Sequence, residues 1–191
     1  MKIRIEDVRI AFPAIAAPQA FGDGEPAYGG RFIIVPGSAN AKLLAKTFKE
    51  VADEMWKDKG PSVLKALRAD KKMAYIEQEY LNKEGVPYDG FADSYYLQTR
   101  NAKVQPGVFN KYNKRLTSKS DIERTIYGGC YVTAQVEVWA QDNKYGRRLN
   151  CNLLGLIFRA DGPGFGGGAA PSSDDDFADL AASLPEAEDL V

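Results

Sequence analysis

The chain has 191 residues, of which 45% are hydrophobic and 27% charged, a composition typical of a folded protein rather than a disordered one. It has no histidine and two cysteines, which excludes histidine-based nucleophile schemes and a four-ligand Cys/His zinc site within the chain. No stretch approaches a membrane span and no signal peptide precedes the first strand pattern, so we expect a protein that stays in the cytoplasm where it is made.

The net charge of −1 hides an uneven distribution of charge along the chain. Residues 1–160 hold all 25 Lys and Arg against 18 Asp and Glu, a charge of +7, whereas residues 161–191 hold 8 acids and no base, a charge of −8. This division is expected of a body that attracts a polyanion and a tail that competes for the same surface. A mildly basic domain with a solubilising tail explains the charges equally well.

The N-terminal half alternates between strand and helix patterns. Lys2–Phe12 predicts a strand, and its change of phase near Asp7 predicts a bulge or a bend. Pro13–Gly30 is rich in Ala, Pro and Gly and predicts a long connection, followed by a short strand over Arg31–Val35. Ser38–Lys59 predicts a helix capped by its first residue, and a second short helix is expected over Ser62–Asp70. The longer helix carries an apolar stripe of Leu44, Phe48, Val51 and Met55.

The C-terminal half carries the strongest strand signals. Glu77–Gly90 predicts a loop, Tyr95–Arg100 a strand, and the polar, basic segment Pro106–Ser120 a functional loop. Tyr131–Ala140 and Arg148–Arg159 predict an antiparallel hairpin. The residues expected on its buried face are Val132, Ala134, Val136, Val138, Leu149, Cys151, Leu153 and Ile157.

The hairpin register also separates the two cysteines. Closure at Asp142–Gly146 places Cys130 opposite a residue near Phe158 and Cys151 opposite one near Glu137. At ~3.3 Å per strand residue the thiols are then on the order of 20 Å apart, beyond disulfide reach. We therefore expect two reduced thiols.

These elements predict a mainly β domain with inserted α-helices, an antiparallel barrel rather than a sandwich. Residues 1–161 form the predicted domain. Residues 162–191 form a Gly-rich linker and an acidic tail in which we expect no fixed structure.

Aromatic and basic residues are interleaved in two regions, as binding of single-stranded nucleic acid requires: cations follow the phosphates and rings stack on bases. Tyrosines on strands are also favoured for packing, and lysines on loops are usually only solvated, so each residue taken singly is more often structural. The candidate DNA-binding residues are Tyr95, Tyr96, Arg100, Lys103, Phe109, Lys111, Tyr112, Lys114, Arg115, Trp139, Lys144, Tyr145, Arg147 and Arg148.

Two other functions are weighed beside DNA binding. Acid pairs Glu77/Glu79 and Asp89/Asp93 resemble the magnesium ligands of a nuclease, but no further acid or lysine completes that site, and no cofactor or catalysis is expected. A virion structural or assembly protein could use the same β body for self-association.

Two stretches resemble a family of bacteriophage single-stranded DNA-binding proteins long catalogued as a domain of unknown function. These are the run Ile126–Val132, with Ile157–Gly162 after it, and the segment Glu25–Pro36. The resemblance implies an OB-fold, a partly open five-stranded barrel, and a role in phage DNA replication, recombination or repair in the cytoplasm of the host bacterium. It makes single-stranded DNA the expected partner.

The acidic tail is expected to contact replication or recombination proteins and to compete with DNA. Its candidate residues are Asp174, Asp175, Asp176, Phe177, Asp179, Glu186, Glu188 and Asp189. The C-terminus lacks the terminal aromatic residue of some tailed binding proteins, which leaves the partner open.

Overall fold

The computed structural model describes residues 1–20 and 24–165. Eight strands and three α-helices follow one another along this part of the chain: β1 (Lys2–Gln19), β2 (Ala27–Ile34), α1 (Ala39–Trp56), α2 (Gly60–Ala69), β3 (Tyr75–Ile76), β4 (Tyr95–Asn101), β5 (Gly107–Phe109), β6 (Arg115–Leu116), α3 (Lys119–Thr125), β7 (Tyr131–Asn143) and β8 (Gly146–Ala160). No helix in these ranges is long and apolar enough to cross a membrane.

The sheet has the order β3-β4-β2-β1-β7-β8-β5-β6, and all neighbours are antiparallel except β5 and β8. The backbone of residues 72–76 closes it. Ala74 donates to the Leu149 carbonyl at 2.8 Å on one side and accepts from the Gln98 amide at 2.8 Å on the other. Strands β4, β2, β1, β7 and β8 thus form the predicted five-stranded, OB-like barrel.

The barrel core follows the predicted alternation over most of the β7–β8 hairpin. Val132, Ala134, Val136 and Val138 are each 0% exposed. The prediction for Ile157 is wrong, because the register steps from Gln135↔Gly155 to Val136↔Leu153 and leaves an extra residue in β8. This bulge reverses the alternation, so that Leu156 is buried and Ile157 is only half-buried.

Helix α1 begins where predicted, since the Ser38 hydroxyl accepts from the Ala41 amide at 3.2 Å. It ends at Trp56 rather than Lys59, and a 3₁₀ turn over Lys57–Lys59 leads directly into α2. Met55 is 45% exposed, so its assignment to the apolar stripe is wrong. Trp56, one residue on, takes the buried place.

The prediction of a long connection over Pro13–Gly30 is also wrong. Strand β1 continues to Gln19 and pairs with β2, which begins at Ala27. Positive φ angles at Asp7 (50°) and Phe12 (51°) mark two breaks in its alternation. The first confirms the predicted bulge, and the second turns the strand so that the small residues beyond it can pair.

Both cysteines are buried and free. Cys151 pairs with Val138, one residue from the expected position. Burial raises the pKa of the Cys130 thiol to about 11.

The glycines and tyrosine of the run Ile126–Val132 hold the chain beyond β8. The Tyr127 hydroxyl donates to the Asp161 carboxylate at 2.8 Å and accepts from the Gly162 amide at 3.1 Å. Gly129 has a φ of 117°, and a Cβ there would lie 2.2 Å from the Pro163 carbonyl oxygen. The first residues of the predicted linker, 162–165, are therefore packed against the barrel.

Candidate nucleic-acid interface

A groove of about 680 Å³ lies where β4 leaves the barrel, between the closing segment and the start of β8. Five cationic side chains line it: Lys71, Lys72, Arg100, Lys103 and Arg148. Three of them were predicted from the sequence. Lys71 and Lys72 were missed, because they stand in a short turn without neighbouring aromatic residues.

The groove is positively charged. Within the described residues its lining includes no Asp or Glu. Lys72 forms a salt bridge with Asp70 at 3.0 Å, and the Arg100 guanidinium donates to the Glu25 carbonyl at 2.7 Å. Lys71, Lys103 and Arg148 form no salt bridge with any described residue. A cleft with one sign of charge concentrates the field and attracts a polyanion.

Trp139 supplies an aromatic surface to the same groove. It projects from β7 and is 39% exposed. Its indole N–H donates to the Asn152 side-chain oxygen at 3.2 Å, which fixes the ring relative to β8. The amide side chains of Gln141, Asn150 and Asn152 surround it. Cations, amides and one oriented ring provide phosphate contacts and a stacking surface together.

The turn of the β7–β8 hairpin extends beyond the groove. Tyr145 at the turn is 75% exposed, and the Lys144 ammonium lies 5.0 Å from its ring centroid. Asp142 anchors the hairpin, because it accepts from the Trp56 indole at 2.7 Å and pairs with Arg147 at 3.1 Å. The Trp56 hydrogen bond, with Arg147, holds the Asp142 pKa below its ordinary value.

The two predicted tyrosines of β4 face packed surroundings. Tyr96 is 8% exposed and lies between Tyr80 and Phe91, at 5.1 and 6.1 Å between ring centroids. Burial also raises the pKa of its hydroxyl. Tyr95 is half-buried against Tyr75 on the core side. The assignment of these two tyrosines to DNA binding stays a prediction, and the burial of Tyr96 favours a packing role for that ring.

The remaining candidates lie at the far end of the β7–β8 face. Lys111, Tyr112, Lys114 and Arg115 belong to the β5–β6 hairpin, where Tyr112 is 78% exposed. Phe109 pairs with Ile157 and lines a separate depression of about 490 Å³ with acids and bases mixed. From Asn150 to Ile157 the strand covers on the order of 20 Å. The structure therefore separates the predicted residues into those at the groove and the β7–β8 turn, those at the β5–β6 end, and the two packed tyrosines of β4.

An aromatic cluster lies on the outer face of β2 and β4, and of its members only Tyr96 was predicted. It consists of Phe12, Tyr80, Tyr88, Phe91 and Tyr96. Arg31 contacts it and lines a small depression shared with Gln98 and Arg100, which in turn line the groove. The cluster and the groove thus form one continuous band.

A weak sequence signal for the cluster was available in the loop predicted over Glu77–Gly90. Tyr80 and Tyr88 flank a turn in which the Asn82 amide donates to the Val86 carbonyl at 2.8 Å and Gly85 has a φ of 80°. The segment Tyr80–Asn82, followed shortly afterwards by Gly85–Tyr88, has the pattern of a short hairpin.

The two glutamates considered for a nuclease have other partners. Glu77 pairs with Arg68 at 3.0 Å, and the Glu79 carboxylate accepts from the Asp93 amide at 2.6 Å. No group of three or more His, Cys, Asp or Glu suited to a metal ion occurs in the described part of the chain.

The tail residues Asp174–Asp189 lie outside the described residues. The last described residue, Phe165, packs against the buried apolar group of Ala11, Ile33, Phe91 and Tyr96, and the Arg9 guanidinium lies 4.2 Å from its ring centroid.

A family model described as "Enterobacter phage Enc34, ssDNA-binding protein" matches residues 1–191. The chain is 32% identical over 193 aligned residues to the putative protein p50 of Acyrthosiphon pisum secondary endosymbiont phage 1, covering 100% of this chain and 99% of that protein. The solved structure of the bacteriophage Enc34 single-stranded DNA-binding protein in complex with ssDNA has a TM-score of 0.70 and 25% identity, covering 86% of this chain and 89% of that one.

A more distant solved structure shares the fold. It is gp2.5, a single-stranded DNA-binding protein encoded by bacteriophage T7, with a TM-score of 0.54 and 13% identity over 100% of this chain and 98% of that one. The whole-chain family match confirms the resemblance expected from the sequence motifs. The chain belongs to the family of the single-stranded DNA-binding protein of Enterobacter phage Enc34.

Proposed function

We propose that this protein binds single-stranded DNA without sequence preference and acts in phage DNA replication, recombination or repair in the cytoplasm of the host bacterium. The observation that carries the proposal is the groove, in which five cations and an exposed, oriented Trp139 converge. The family match supports the same function and does not favour a virion structural protein. The protein binds DNA without catalysing a reaction.

The chemistry of the groove supports binding without sequence preference. Lys and Arg contact phosphates, which carry no sequence information, and an indole stacks on any base. The amides of Gln141, Asn150 and Asn152 are hydrogen-bonding groups that adapt to different base edges. Hairpin residues Lys144 and Tyr145 extend the surface on one side.

Trp139 gives a direct test. Oligo(dT) binding should quench its fluorescence, with the buried Trp56 as a constant background. Trp139→Ala should weaken binding by about 1–3 kcal/mol, and Trp139→Phe, which keeps a ring, by less. Equal, weak affinity for single-stranded and duplex DNA would refute the proposed function. Retained affinity in Trp139→Ala would refute only the stacking role of Trp139.

We also propose that the acidic tail competes with DNA for this surface and contacts replication or recombination proteins. Residues 174–189 hold seven of the acids, and the chain enters the tail from Phe165, beside the band. Like charge on tail and DNA makes their binding to the groove mutually exclusive.

The β5–β6 hairpin, with Lys111, Tyr112, Lys114 and Arg115, is a second candidate DNA contact. The exposed Tyr112 and the basic side chains of this hairpin support that role. Because the hairpin is far from the groove, a DNA strand that contacts both must cross the whole β7–β8 face. Tyr112→Ala measured with short and long oligonucleotides tests it, because only long strands should lose affinity.

A further inference from the structure

The most ordered part of the aromatic cluster is a column of stacked groups. The rings of Tyr80 and Tyr88 are nearly parallel, at 17°, with centroids 4.9 Å apart. The Arg31 guanidinium lies over the Tyr80 ring, 4.2 Å from its centroid. Because the two rings are so close together, a guanidinium does not fit between them. Arg31 therefore covers the face of Tyr80 that is turned away from Tyr88.

Phe12 supports the column from the side. Its ring is nearly perpendicular to both tyrosines, at 76° and 85°. Its centroid lies 6.0 Å from that of Tyr80 and 5.4 Å from that of Tyr88. A ring stacked on the outer face of Tyr88 would have its centroid about twice as far from the Tyr80 centroid as Tyr88 has, because the separations of successive stacked rings add up. Phe12 therefore leaves that outer face uncovered.

The column is thus closed at one end and open at the other. Tyr88 is 38% exposed, and within the described residues no ring or cation lies over its outer face. The backbone holds it in place, since the Tyr88 amide donates to the Tyr80 carbonyl at 3.0 Å. An exposed aromatic face held in fixed orientation stacks a planar ligand at little cost in conformational entropy.

From this geometry we infer that Tyr88 is a base-stacking site, separate from Trp139, and that a DNA strand runs from one to the other across β2 and β4. The inference rests on the proposed function. Arg31, Gln98 and Arg100 lie between the two rings along the band. Arg31 over Tyr80 also places a positive charge near a phosphate that accompanies a base stacked on Tyr88.

The test uses the full chain and oligo(dT) of ~16 nucleotides or fewer, within the site size of an OB-fold. Tyr88→Ala should weaken binding about 5- to 150-fold, the range expected for one stacked base. Tyr88→Phe keeps the ring and should bind like the unmodified protein. Leu81→Ala is the matched control, because it removes an exposed side chain from the same hairpin outside the column.

A single abasic nucleotide moved along the shortest oligonucleotide that binds fully gives a second measurement without altering the protein. Two positions should be sensitive to loss of the base. One should become insensitive in Tyr88→Ala and the other in Trp139→Ala. This pattern assigns each ring its own nucleotide.

The inference fails if the unmodified protein binds oligo(dT) while Tyr88→Ala binds equally well, or if the abasic scan shows no position that depends on Tyr88. An equal loss in Tyr88→Phe would assign the effect to the hydroxyl and also overturn stacking. Failure of the unmodified protein to bind oligo(dT) overturns the proposed function itself.

Discussion

The charge of the groove predicts how DNA binding depends on salt. Five cations line it, and Lys103 and Arg148 form no salt bridge within the described residues. The logarithm of affinity for a single strand falls with the logarithm of salt concentration by ~0.7 for each neutralised phosphate. The groove alone should therefore give a slope of about −3.5 if each cation neutralises one phosphate.

The double variant Lys103→Gln/Arg148→Gln should reduce that slope to about −2.1. Between ~50 and ~200 mM salt, the unmodified protein then loses affinity roughly 100-fold and the variant roughly 20-fold. The difference is large enough to measure by titrating a labelled oligo(dT) at several salt concentrations.

The control removes two charges elsewhere. Lys46 and Lys49 lie on the outer side of α1, each in a salt bridge with an acid of the same helix. Lys46→Gln/Lys49→Gln changes the net charge equally and should leave the slope unchanged. Equal slopes in both double variants would show that total charge, and not the groove, attracts DNA, and would refute the reasoning.

Three further predictions concern the tail and the core. Truncation after Phe165 removes seven acids but keeps the packed residues 162–165, and should strengthen oligo(dT) binding most at low salt; weaker binding would contradict competition by the tail. Neither Cys130 nor Cys151 should react with Ellman's reagent near pH 8 until the protein is unfolded, because burial raises both thiol pKa values; fast labelling of the native protein would contradict this. Gly129→Ala should destabilise the fold by roughly 1–3 kcal/mol in urea unfolding, because its Cβ would meet the Pro163 carbonyl, whereas Gly37→Ala, also at positive φ but with nothing near its Cβ, should cost less.

The β7–β8 hairpin shows how much local pattern determines. Its alternation placed Val132, Ala134, Val136 and Val138 inward and Trp139 outward, because side chains of a strand alternate between core and solvent. The same rule failed at Ile157, where a bulge adds one residue. Gly155 in the interior of β8 is a sequence sign of a bulge, but the register shift itself depends on pairing with β7.

The division of charge between body and tail was likewise visible in the sequence, since composition needs no coordinates. The position of the groove was not visible in the sequence. Lys71 and Arg148 come together only because residues 72–76 bridge β4 and β8, a closure between segments distant in sequence. Lys103 and Phe109 are close in sequence but lie at different sites, because β5 pairs with the C-terminal part of β8.

Tyr96 and Tyr88 show the same limit for aromatic residues. Both stand in polar, tyrosine-rich segments that suggest exposure equally well. Tertiary packing buries Tyr96 under Tyr80 and Phe91, whereas Tyr88 lies at the open end of the stack and keeps one face exposed. The sequence determined that the protein carries cations and rings on a β-barrel with an acidic tail. Which rings remain available to a base was decided by the fold, because exposure depends on neighbours that only long-range pairing supplies.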